Sequence, residues 1–111
     1  MERSRGDARR STRLSLQIPV VVTSLDPASN FREECNTVVV NVHGCGVIVH
    51  TRLESETPVM VELASSGAMK KASVVAAIPT VQGASWLLGV AFDRPENFWQ
   101  VANPPADWGS Q

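Results

Sequence analysis

The sequence predicts an all-β fold, a six-stranded antiparallel barrel with a short C-terminal helix. Three observations carry the prediction. Apolar and polar residues alternate with a period of two in several segments, which places one face of each in a core. Those segments are rich in valine and isoleucine and are separated by clusters of Gly, Pro, Asn, Asp and Ser. One stretch alone, residues 95–101, carries helix signals. The 111 residues fit one domain, and 43% hydrophobic with 19% charged residues is the balance of a globular chain.

Taken in order, Leu14, Leu16, Ile18, Val20 and Val22 alternate with more polar neighbours and predict a first strand. Pro19 withholds a donor and predicts a bulge or an edge position early in it. Asp26, Pro27, Ala28, Ser29 and Asn30 are turn chemistry. Residues 32–40 and 47–51 read as the second and third strands. The polar, glycine-rich break from Asn41 to Gly46 between them reads as a hairpin tip. Residues 59–63 predict a fourth strand and 70–81 a fifth, with Ala72, Val74, Ala76 and Ile78 on one face. Trp86, Leu88, Val90 and Phe92 line one face of a sixth. Asp93 followed by Glu96 resembles a capping box, and Pro95 suits a first turn, so residues 95–101 predict the helix, docked through Phe98 and Trp99. The domain plan is a flexible basic arm at 1–13, the barrel and closing helix at 14–102, and a tail at 103–111.

The net charge of −1 conceals an asymmetry: residues 1–13 carry +3 and the remainder −4. A basic arm on an acidic body points to an anionic partner for the arm. No apolar run reaches the ~20 residues of a membrane-spanning helix. The first residues resemble no secretory signal, so a cytoplasmic protein with free Cys35 and Cys45 is expected. Zinc is not expected. Cys35 and His50 would lie roughly 20 Å from His43 and Cys45 along the hairpin, too far to share one tetrahedral ion. Neither a nucleophile elbow, paired carboxylates on one face nor a phosphate loop is present, so the chain reads as no enzyme and needs no cofactor.

The binding signal combines the arm and the tip. Arg9, Arg10 and Arg13 offer planar forks that pair with phosphate and with guanine O6 and N7. The tip offers Asn41 and free backbone N–H groups that complement phosphate oxygens. Together they would clamp an anionic, guanine-bearing ligand. Extended nucleic acid fits less well, because the body is acidic and lacks a stripe of aromatics for base stacking.

At these residues the chain resembles a PilZ domain, the bacterial receptor module for cyclic di-guanylate (c-di-GMP). That family carries R-x-x-x-R before its first strand and [D/N]-x-S-x-x-G between its second and third. Arg9 and Arg13 match the first motif, with Arg10 beside them; Asn41, His43 and Gly46 align with the second, His43 replacing the serine. The resemblance covers about residues 8–102. It implies a c-di-GMP receptor in which Arg9, Arg10 and Arg13 clamp the ligand. Asn41 would contact it and Gly46 would hold the loop geometry. His43 would crowd the pocket, donate a hydrogen bond or stack on guanine. Binding would reorder the arm and present a changed surface to a downstream protein. The alternative is a PilZ-like adaptor that binds protein and no nucleotide, and a small nucleic-acid-binding barrel is the third reading.

Overall fold

The computed structural model describes residues 11–81 and 83–108. Six strands form: β1 (Pro19–Ser24), β2 (Arg32–Asn41), β3 (Gly44–Val49), β4 (Pro58–Leu63), β5 (Met69–Pro79) and β6 (Trp86–Phe92). They close in the order β1-β2-β3-β6-β5-β4, every pair antiparallel. Closure leaves no sheet edge open to pair with another chain. The chain between β3 and β4 joins non-adjacent strands, and Leu53 within it is buried. The core is a lining of β-branched side chains, among them Val20, Val22, Val47, Val49, Val59, Val61 and Val74, none more than 1% exposed. Among the described residues, no helix is long and apolar enough to cross a membrane.

The expected barrel is present, with corrections in detail. β1 begins at Pro19, not at Leu14. The hydroxyl of the fully buried Thr37 accepts from Ile18 N (2.9 Å) and donates to Leu16 O (2.6 Å), tying down the preceding segment outside the ladder. On β5 the expected common face of Ala72, Val74, Ala76 and Ile78 breaks at a bulge between Val74 and Ala76. Ala72 and Val74 enter the core, Ala77 packs against it, and Ile78 is turned outward at 54% exposure. One extra residue reverses which side chains face inward.

The helix expected at residues 95–101 does not form. Its backbone donors are committed elsewhere: Glu96 N donates to Val42 O at 2.9 Å. The Asn97 side chain accepts from Val101 N at 3.1 Å and donates to Val101 O at 3.0 Å. Gln100 has φ of 59°, outside the helical region. Phe98 and Trp99 are nonetheless buried, packed on Phe92 with ring centroids 5.2–5.7 Å apart. Such aromatic pairs contribute about 1 kcal/mol each beyond area burial. The helical residues among those described are a single 3-10 turn at Ala106–Trp108, within the segment expected as a tail. It buries Trp108 to 1% exposure.

Candidate functional site

The hairpin tip is tighter than the glycine-rich break suggested. Asn41 pairs with Gly44, so Val42 and His43 alone form the turn and both glycines belong to β3. Asn41 Oδ1 accepts from His43 N at 2.9 Å and Gly44 N at 3.1 Å. This is the local side-chain turn that asparagine favours. Gly44 has φ of 154°, and a Cβ there would sit 1.9 Å from Val90 O. No other residue fits the position without moving the neighbouring strand.

The last residue of β6 and two residues beyond it brace the tip from behind. Phe92 N donates to His43 O at 2.8 Å and Glu96 N to Val42 O at 2.9 Å. The Trp99 indole donates to Asn41 O at 2.9 Å. Beside the tip runs the root of the arm. Leu14 and Val40 exchange both backbone hydrogen bonds at 2.9 Å. Ser11 is buried to 1% exposure, and Asn41 Nδ2 approaches its carbonyl at 3.5 Å.

Tip and root enclose a concavity of about 400 Å³, lined by Arg13, Asn41, His43 and Gly46 together with Val39, Val75, Ala76, Ile78, Leu87, Gly89 and neighbours. Gly46 pairs with Gly89, and Gly89 with Ala76. Since Cys45, Val47, Leu88 and Val90 point into the core, strand alternation turns the two glycines outward as a low floor. The hollow therefore combines an apolar floor with a guanidinium, an imidazole and an amide at one end. Such a surface suits a flat ring carrying negative charge.

Of the site residues expected from sequence, the structure brings Arg13, Asn41, His43 and Gly46 to this one concavity. Arg9 and Arg10 lie outside the described residues, as does most of the expected arm. The Asn41 oxygen is engaged by the turn, so the side chain also shapes the tip. Sequence reasoning missed Gly89, Trp99, Asp107 and Trp108. A lone tryptophan in a proline-rich stretch was the available signal for the last, since so large an apolar side chain is rarely left in water.

Other reactive groups are quiet. Burial, and secondarily the Glu33 carboxylate, pushes the Cys35 thiol up to about 12. Burial, with a smaller contribution from Cys35, does the same to Cys45, also to about 12. Both are free and neutral thiols, unsuited to nucleophilic work. Among the described residues no cluster of three or more His, Cys, Asp or Glu could hold a metal ion. A larger hollow of about 760 Å³ lies between β4, β5 and the C-terminal segment. It contains none of the motif residues, and its Lys70 is paired with Glu96 at 2.8 Å.

No protein-family model and no curated protein matches the sequence. Solved structures do match the fold. The PilZ domain of CeSA from a cellulose-synthesizing bacterium superposes with a TM-score of 0.55 at 20% identity, over 76% of this chain and 84% of that one. MrkH of K. pneumonia, solved as a complex with c-di-GMP, superposes with a TM-score of 0.58 at 13% identity, over 87% of this chain and 46% of that one. The chain thus spans less than half the length of MrkH. Identities at this level establish the fold, and the barrel is PilZ-like.

Proposed function

We propose that this PilZ-like barrel is a non-enzymatic bacterial receptor, working in the cytoplasm, that binds c-di-GMP in the concavity between the arm root and the hairpin tip. The observation that carries the reading is the convergence of Arg13 with Asn41, His43 and Gly46 on one hollow, across 28 positions of sequence between Arg13 and Asn41. Arg13 supplies a fork for phosphate or a guanine edge, and Arg9 and Arg10 add further forks from the arm. Asn41 sets the tip, Gly46 keeps the floor low, and His43 offers a ring at the rim. Ligand bound here draws the arm against the barrel and alters the surface that a downstream protein meets.

Calorimetric titration with c-di-GMP tests the reading. Saturable one-site binding is expected, and Arg13→Ala should weaken it by about 2 kcal/mol, the loss of a charge-assisted bidentate contact. Arg52 is paired with Glu54 at 2.7 Å and lies over the Trp86 ring, outside the concavity. Arg52→Ala should therefore leave affinity unchanged, whereas equal losses would indicate nonspecific charge attraction that collapses with salt.

The second reading is an adaptor that binds protein and no nucleotide. It is favoured by the internal engagement of the Asn41 oxygen, which leaves the tip one fewer group for a ligand. Absence of any heat with c-di-GMP would select it.

A further inference from the structure

Arg13 sits between two immobilised residues, and one of them is held by the far end of the chain. Leu14 is bonded through both its N–H and its carbonyl to Val40. Thr12 is bonded three times by the C-terminal 3-10 turn. Its N–H and its hydroxyl converge on one carboxylate oxygen, Asp107 Oδ2, at 2.9 and 2.8 Å. Its carbonyl accepts from the Trp108 indole at 2.7 Å. The Thr12 N–H belongs to the peptide plane shared with Ser11, and its carbonyl to the plane shared with Arg13. Fixing both planes fixes the only two soft backbone angles of Thr12, and with them the direction in which the chain leaves on either side.

The indole is nearly inaccessible at 1% exposure, so this anchor is a packed one as well as a hydrogen bond. A parallel bond joins Trp99 to the Asn41 carbonyl. The segment after β6 thus uses two indole N–H groups to hold one backbone carbonyl from each half of the concavity.

From this geometry we infer that Asp107 and Trp108 are positioning residues for the arginine site. They clamp Thr12 so that Arg13, exposed at the rim, is aimed at the hollow. The inference rests on the c-di-GMP reading of that site. Because coupling is reciprocal, ligand held by Arg13 must in turn tighten the C-terminal turn. Occupancy is thereby transmitted to the opposite end of the sequence.

The test measures c-di-GMP affinity and melting temperature for the wild type, Asp107→Ala, Asp107→Asn and Thr12→Val. Both Thr12 donors converge on a single oxygen, so an amide oxygen can replace the carboxylate. Asp107→Ala should weaken binding about tenfold, while Asp107→Asn should stay within about twofold of wild type. Thr12→Val, which keeps the N–H and loses the hydroxyl, should fall between them and guards against poor folding of Asp107→Ala. In the wild type, ligand should also slow hydrogen exchange at the Trp108 indole, and Arg13→Ala should abolish that protection. A lowered melting temperature with unchanged affinity would show that the clamp only stabilises the fold, overturning the inference while leaving the receptor reading intact. Absence of binding by the wild type would remove both.

Discussion

The hairpin tip and the arm root are two walls of one concavity, yet they are held by opposite means. The tip begins with its own sequence. The Asn41 side chain bonds residues two and three positions ahead, and Gly44 allows β3 to approach Val90 closely. Its remaining braces come from the end of β6 and the aromatic segment directly after it. Among the described residues the root shows no comparable local fastening on its N-terminal side: Thr12 is gripped from 95 and 96 positions away. A wall held locally persists whenever its hairpin forms, whereas a wall held remotely is present only when both ends of the chain are docked. The root is therefore where ligand can change the protein, and the tip is where it finds a fixed surface.

The sharpest way to break this contrast is at Gly44. Gly44→Ala would place a methyl 1.9 Å from Val90 O at a φ of 154°. It should cost about 4 kcal/mol or more and unfold a domain of ordinary stability, as urea denaturation followed by circular dichroism would record. Gly46→Ala is the control two residues on. Its Cβ would meet Val39 Cγ1 at 3.2 Å and Leu87 Cδ1 at 3.4 Å, side-chain atoms able to yield, so roughly 1 kcal/mol is expected. Similar costs at the two glycines would show that the tip does not depend on the close approach at Gly44.

A second test uses the thiol behind the tip. Cys45 pairs with Val40 in the ladder, and its folded-state pKa of about 12 stands above the ordinary 9.0. The folded chain keeps this proton over a range in which the unfolded chain releases it. The associated stability is complete below pH 9 and is lost as pH rises from 9 towards 12. At about pH 10.5 wild type should have lost about 2 kcal/mol more stability, relative to neutral pH, than Cys45→Ala. Parallel declines in the two proteins would show that Cys45 does not drive the alkaline transition.

The barrel was legible because its signal is local and repeated: period-two runs of β-branched residues bounded by turn chemistry describe a strand wherever it pairs. The bulge near Val75 was not legible, because nothing in Ser73-Val74-Val75-Ala76 marks which residue β6 will leave unpaired. The false helix at 95–101 shows a local capping pattern overridden by tertiary bonds, since the Glu96 N–H serves Val42 instead. At the site, Arg13 and Asn41 could be read from their residue chemistry, and His43 and Gly46 from the resemblance to the PilZ motifs. Asp107 and Trp108 could not, since their partner is Thr12 and no periodicity relates residues so far apart.

The smallest effect, and the finest discrimination between the walls, belongs to His43. Its backbone is fully engaged by the tip, N–H to Asn41 Oδ1 and carbonyl from Phe92 N. Its imidazole is half-buried, lines the concavity, and has no hydrogen-bond partner among the described residues. The two parts of the residue can therefore be separated by substitution. His43→Ser keeps the backbone bonds and should change stability by less than about 0.5 kcal/mol. It replaces a ring that can donate a hydrogen bond or stack on guanine with a shorter hydroxyl that reaches less far into the hollow. Affinity for c-di-GMP should fall by about 1 kcal/mol, the net value of one such contact, roughly fivefold in calorimetry. Tighter binding by His43→Ser would mean that the imidazole crowds the rim and that the tip contributes its backbone alone. A large loss of stability would mean that the ring fastens the tip, and the division between a locally built wall and a remotely held one would need redrawing at this residue.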